Sequence, residues 1–70
     1  MIRIGPGSLL QKYESWKGSE LNVVMNDDKT YFGQLESANA SSLTLKDSRG
    51  YRHSLELSGV FEIIYDHENR

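Results

Sequence analysis

Apolar and polar residues alternate along this chain with two periods, and the change from one to the other marks out the elements. Leu9, Tyr13 and Trp16 recur at i, i+4 and i+7, the spacing of a single apolar helix face. From Leu21 onward the period drops to two, the pattern of half-buried strands. Leu21, Val23 and Met25 alternate with Asn22 and Val24. Tyr31, Gly33 and Leu35 alternate with Phe32, Gln34 and Glu36, and after the small polar run Ala38 to Ser42 the pattern resumes at Leu43 and Leu45. Tyr51, His53, Leu55 and Leu57 alternate with Arg52, Ser54 and Glu56. The last segment, Val60 to Tyr65, carries apolar residues on both faces: Phe61, Ile63 and Tyr65 against Val60 and Ile64.

The residues between these runs are punctuation. Gly5-Pro6-Gly7 cannot be helix interior, so residues 1–7 are expected to be an extended lead-in. Ser8 followed by Gln11 matches a capping box, which starts the helix at Leu9 and runs it to about Trp16 or Lys17, with Gly18 as its left-handed stop. Asn26-Asp-Asp28-Lys and Asp47-Ser-Arg-Gly50 are turn chemistry, and Ser58-Gly59 interrupts the strand pattern once more. Gly33 lies inside a strand, where a missing side chain marks a bend or a close backbone approach. The order predicts an all-β fold: a helix over about residues 8–17, then five short strands over about residues 20–65, closed as a strongly bent small barrel of the SH3-like kind. The charged segment Asp66 to Arg70 reads as a frayed tail.

Seventy residues make one domain, of a size that buries about 60% of its unfolded surface and is marginal alone. The chain has no Cys, so packing or self-association must supply what a disulfide or thiolate metal site would. A fifth strand apolar on both faces is an aggregation hazard if its edge stays open. Another copy of the chain is the simplest cover. Head-to-tail pairing of the fourth strand of one copy with the fifth of the next, through Tyr51, His53, Leu55, Val60, Glu62 and Ile64, generates a homo-oligomeric ring if the rotation closes. The net charge of −2 argues against broad, unspecific nucleic-acid binding, although not against a local site. No apolar run approaches the roughly 20 residues of a membrane span, and no signal peptide is visible, so a cytoplasmic location is expected.

The helix-then-five-strand order, and above all Gly33-Gln-Leu-Glu-Ser-Ala-Asn-Ala-Ser-Ser-Leu-Thr-Leu-Lys46, resembles the Sm-like family, most closely its bacterial Hfq branch. That branch reads Gly-Gln-Ile-Glu-Ser-Phe-Asp-Gln-Phe at this place, and the two align without a gap. Asn26-Asp27-Asp28 stands where the family has a turn such as Asn-Gly, and Leu57-Ser58-Gly59 resembles its second signature. The resemblance implies an Sm-like barrel in a ring, six subunits by analogy with five or seven as alternatives, that holds short single-stranded RNA without catalysis. It places Asn39, Ser41 and Ser58 at the RNA site. Ser41 stands where the family stacks an aromatic on uridine, Asn39 where it has an acidic residue, and Glu56-Leu57-Ser58 where it has Tyr-Lys-His. Two other readings stand beside this one: an Sm-like ring or barrel for protein–protein contact with nucleotide recognition lost, and a monomeric ribosome-associated barrel resembling the C-terminal domain of the ribosome maturation factor RimP.

Candidate chemistry outside the resemblance is sparse. Lys46, Arg49 and Arg52 form the one basic grouping, a solvated hairpin tip or a phosphate-contacting patch that Asp47 and Glu56 partly neutralise. The aromatics Trp16, Tyr31, Phe32 and Tyr51 could stack bases; core or subunit interface is the preferred reading of Trp16 and Tyr51, and one of Tyr31 and Phe32 must face outward. His53 reads as structural or interfacial. No Asp or Glu has the spacing to complete a metal site with His53 or His67, and no cofactor is expected. Without a Cys nucleophile, a strained Ser elbow or a Gly-rich phosphate loop, the chain is not expected to be an enzyme.

Overall fold

The computed structural model describes residues 1–65. The tail reading of Asp66 to Arg70, and His67 with it, lies outside the described residues. In chain order the elements are strand β1 (Ile2–Ile4), a 3-10 turn (Pro6–Ser8), helix α1 (Leu9–Trp16), strands β2 (Glu20–Met25), β3 (Thr30–Ala38), β4 (Ser42–Lys46) and β5 (Arg52–Glu56), a second 3-10 turn (Leu57–Gly59) and strand β6 (Val60–Tyr65). All ladders are antiparallel, and the strand order is β1-β6-β2-β3-β4-β5.

The expected five strands are therefore six. The lead-in does not run free: Ile2, Arg3 and Ile4 pair with Tyr65, Ile64 and Ile63, so the edge of the last strand is covered within the same chain. The sheet is also open rather than closed, with β1 and β5 as its two edge strands. It wraps around one core. Leu21 and Val23 from β2, Leu35 from β3, Leu43 and Leu45 from β4, Leu55 from β5, and Val60 and Ile63 from β6 meet Leu9 and Trp16 from the helix. Each of these large side chains stabilises the fold by roughly 1.5–3 kcal/mol through burial.

The helix buries the apolar face expected of it, with Leu9 and Trp16 inside and Tyr13 half-buried. The Tyr13 hydroxyl donates to the Glu36 carbonyl at 3.4 Å, and the Trp16 ring lies 4.8 Å from that of Tyr65, so α1 spans from β3 to β6. Its start corrects the capping box. Ser8 is itself in helical geometry and its side chain caps nothing; the 3-10 turn begins at Pro6, and the Ser8 N–H donates to the Gly5 carbonyl at 3.1 Å. Proline at the start of the turn does the work assigned to the cap, because its missing N–H needs no partner there. The stop is as expected: Gly18 has φ of +85°, and its N–H turns back to the Leu35 carbonyl at 2.7 Å.

Two bulges bend the sheet. Leu35 pairs with Leu45 but Ser37 with Thr44, so Glu36 is an extra residue on β3. That insertion brings Ala38 round to the same side as Leu35, where strict alternation would turn it out. A second extra residue, Phe61, lies on β6 between Val60, paired with Met25, and Glu62, paired with Val24. The bulge corrects the alternation read for this strand. Val60 and Ile63 share the buried face, whereas Phe61 is 65% exposed. Gly33 is required by a close approach: a Cβ there would sit 2.8 Å from the Lys46 carbonyl oxygen and 3.1 Å from its carbon. Among the described residues no helix is long and apolar enough to cross a membrane.

Candidate nucleic-acid interface

The residues expected to touch RNA fall at the two ends of β4. Asn39, Ser41 and Ser58 gather at its start; Arg49 and Arg52 gather beyond its end. Four residue steps of strand separate the ends, about 13 Å.

At the first end the β3–β4 hairpin turns on Asn39. Its Oδ1 accepts the N–H groups of Ser41 at 2.7 Å and Ser42 at 2.9 Å, and its own N–H donates to the Ser42 carbonyl at 2.9 Å. The amide oxygen of Asn39, a residue the resemblance places at the RNA site, is thus occupied by the backbone. The hairpin docks on the Leu57–Gly59 turn, where the Leu57 N–H donates to the Ser41 carbonyl at 2.8 Å. Asn26 holds the same turn from the other side: its N–H donates to the Gly59 carbonyl at 2.8 Å and its Nδ2 to the Ser58 carbonyl at 3.3 Å. Ser41 and Ser58 are exposed. Beside them runs a groove of about 400 Å³ lined by Pro6, Gly7, Leu10, Ala40, Leu57 and Ser58, and it carries neither charge nor aromatic ring.

At the second end the β4–β5 hairpin turns on Asp47. Its Oδ1 accepts the N–H groups of Arg49 at 2.9 Å and Tyr51 at 3.0 Å, and Gly50 takes the left-handed position at φ +90°. This is the three-residue loop in which a glycine follows a tight turn. The second carboxylate oxygen, Oδ2, lies 2.9 Å from His53 Nε2 and 3.5 Å from Arg49 Nη2. The bond to His53 holds the Asp47 carboxyl down at about 2, against an ordinary 3.8. The two backbone N–H groups and the Arg49 charge push the same way, and loss of water at the site opposes them. The turn thus gives His53, read from the sequence as structural or interfacial, a carboxylate partner. Among the described residues no three His, Asp or Glu side chains come together as a metal would need.

Beside this hairpin lies a cleft of about 430 Å³ lined by Glu20, Phe32, Gly33, Gln34 and residues 46–50. Gly33 on the core side of β3 lets β4 approach closely here, which brings Lys46 and the hairpin beside Phe32 and Gln34. The wall of the cleft is the Phe32 ring, 55% exposed on the outward face of β3 while Tyr31 turns inward to lie 6.1 Å from the His53 ring. Lys46 and Arg49 bring cations to the rim, and Gln34 and Ser48 bring groups that hydrogen-bond in either sense. Arg49 also lies over the Tyr51 ring, 5.0 Å from its centre. Tyr51 is 61% exposed, so of its two readings, core or subunit interface, it is not core. Arg52 stands outside the cleft on β5, paired through Nε with Glu36 Oε1. Glu56, named beforehand as a neutralising partner of this patch, lies at the far end of β5 opposite Ser42. Gln34 and Ser48 escaped notice in the sequence; Phe32 was signalled by its place on the polar side of the β3 alternation.

The residues expected at a ring interface divide in the same plain way. Leu55 and Val60 put their side chains into the core of their own chain, Tyr51 is at the hairpin tip, and His53 is tied to Asp47. Glu62 is half-buried opposite Val24, and Ile64 lies between Asn22 on one side and Arg3 on the other. The chain matches no protein-family model and no curated protein sequence.

Proposed function

We propose that this chain is an Sm-like barrel that works without catalysis, assembling with copies of itself and holding single-stranded RNA at the Phe32 cleft. The observation that carries the reading is the cleft itself. Phe32, exposed on the outward face of β3, lines it together with Lys46 and Arg49. Sequence-tolerant binding of single strands needs that pair of features: a ring on which a base stacks and cations that follow the phosphates. The strand order β6-β2-β3-β4-β5 behind an N-terminal helix, together with the likeness over Gly33 to Lys46, supports the Sm-like assignment. The site differs from the one the family likeness suggested, since Asn39 is occupied by its own turn and the groove beside Ser41 and Ser58 offers nothing to stack on.

Fluorescence anisotropy with labelled oligo-U and oligo-A at low salt tests this. Binding to either, weakened by Phe32→Ala, is the expected result. No binding at roughly 50 µM protein, within the range of even unspecific nucleic-acid contacts, overturns it. One observation favours a second reading, a protein-interaction barrel. Arg49 and Arg52 both have carboxylate neighbours, which reduces the charge available to phosphates. That reading expects purified protein with a low 260/280 nm ratio and no anisotropy change with either oligonucleotide.

A further inference from the structure

The strand β1 lies on the edge of β6 that ring assembly through β5 and β6 needs. We propose that Ile2–Ile4 is a releasable strap, and that the edge it covers is a docking surface for the β5 strand of a second copy. This rests on the Sm-like ring reading for the identity of the incoming strand; the covering of the edge is independent of it.

Three features make the strap a placeholder. First, it is short and poorly anchored. It pairs at three positions only, Ile2, Arg3 and Ile4 against Tyr65, Ile64 and Ile63. Ile2 is 43% exposed, Arg3 is exposed, and Ile4 alone packs against the core. Second, it is hinged. Gly5 and Gly7 flank Pro6, neither glycine has a neighbour within 4 Å of where a Cβ would stand, and the first hydrogen bond that fixes the chain again is Ser8 N–H to the Gly5 carbonyl. Third, it stops short. It covers residues 63–65, and among the described residues Val60, Phe61 and Glu62 have no ladder partner on that side, where the bulged Phe61 is 65% exposed. A strand of five residues reaches from Tyr65 to Phe61; a strand of three ends at Ile63. β5 has five residues and borders the sheet at its other end, paired only to β4. A second copy therefore brings a strand of the right length with one edge open, and gains more ladder bonds than the strap surrenders.

Assembly is then a competition between an intramolecular strand, weak but always present, and an intermolecular one, stronger but dependent on concentration. The strap sets the concentration at which copies associate and keeps the β6 edge from pairing with unrelated strands below it.

The test uses light scattering over a concentration series on three proteins. Deletion of residues 1–4 is expected to lower the concentration of half-assembly at least about tenfold, the equivalent of roughly one net hydrogen bond. Because the deletion removes Ile4 from the core, a second protein keeps the test sound if it folds poorly. Arg3→Cys with Ile64→Cys places two thiols on paired residues of a chain that has no other Cys. Oxidised, with the bond confirmed by mass spectrometry, it is expected to remain monomeric at concentrations where the parent assembles; reduced, it is expected to regain the parent's behaviour. If oxidised and reduced forms assemble alike, the ring stands and the strap's role is overturned. If neither the parent nor a folded deletion variant assembles at any concentration, the docking surface falls together with the ring.

Discussion

Two hairpins flank β4, and each is closed by an Asx side chain used in the same way. Asn39 Oδ1 accepts two backbone N–H groups at 2.7 and 2.9 Å, and Asp47 Oδ1 accepts two at 2.9 and 3.0 Å. The difference lies in the other atom of each head group. Asn39 has an amide nitrogen there, which can only donate. Asp47 has a second oxygen, and it gathers His53 and Arg49. One turn is therefore neutral and docked on the Leu57–Gly59 turn, while the other is a charged cluster bordering the Phe32 cleft. The same local device serves as a plain bend at one end and as the border of the Phe32 cleft at the other.

A side chain added at Gly33 should disturb the Asp47 end of β4 the most. Gly33→Val puts a Cβ 2.8 Å from the Lys46 carbonyl oxygen, a backbone atom that cannot turn aside. Valine is otherwise a better strand former than glycine, so propensity works against the expected result. Overpacking costs roughly 1–3 kcal/mol, and a clash with backbone belongs at the upper end of that range. Urea denaturation should show it, with Gly7→Ala as a control near the parent value because nothing stands within 4 Å of the added atom. A Gly33→Val protein as stable as the parent would mean that β3 and β4 do not cross as closely as described.

The next effect separates the two hairpins by function. Phe32→Ala should weaken binding of a short oligonucleotide by roughly 1–3 kcal/mol, about 5- to 150-fold, the worth of one stacked base. Ser41→Ala and Ser58→Ala should leave it within about twofold, and Lys46→Ala should reduce the salt slope by about one. The reverse pattern, with the serines mattering and Phe32 not, would move the site to the Asn39 hairpin.

A smaller effect concerns the neutral turn alone. Asn39→Ala should cost about 1 kcal/mol, since water replaces part of what two N–H groups lose at an exposed turn. Asn39→Asp should restore most of it, because it keeps the accepting oxygen; thermal melts suffice to rank the three.

How much of this was legible in the chain follows from the range of each interaction. The alternation at Leu21–Val23 and at Leu43–Leu45 is local and reports the face directly, so β2 and β4 were readable, as were the helix face and the Gly18 stop. Gly33 could be singled out because a glycine inside a strand needs a reason, although its partner, Lys46, could not be derived. What escaped depends on pairing between distant segments. Ile2-Arg3-Ile4 has the alternation of a strand, but three residues signal nothing until β6 lies beside them. The bulge at Phe61 reverses the faces of Val60 and Phe61, and only the register against Met25 and Val24 determines that. Ser8 and Gln11 matched a capping pattern whose geometry the preceding Pro6 had already supplied. At the candidate site, Arg49 and Arg52 could be named from charge and Asp47 as a neutralising neighbour, whereas Glu36, the partner of Arg52, depends on the pairing of β3 at its bulge.

The last expected effect tests the atom by which the hairpins differ, and it is a pH dependence. The folded chain holds the Asp47 carboxyl at about 2 against an ordinary 3.8, so folding favours its ionised form. A group whose pKa is depressed on folding contributes stability above the unfolded value and loses it as pH falls through the folded one. The contribution is thus complete above pH 3.8 and gone below about 2. Asp47→Asn keeps Oδ1 as acceptor for the Arg49 and Tyr51 N–H groups and removes only the charge on the second oxygen. The difference in urea midpoint between parent and Asp47→Asn should be constant from neutral pH down to about 4, then shrink towards zero near pH 2. The difference between parent and Asn39→Ala should not change over the same range, since no titrating group belongs to that turn. His53→Ala removes the first cause of the depression, so the Asp47 carboxyl, followed by NMR, should titrate closer to 3.8. An unchanged Asp47 titration in that variant would assign the depression to the turn's N–H groups instead, and the two hairpins would then differ in charge but not in how that charge is held.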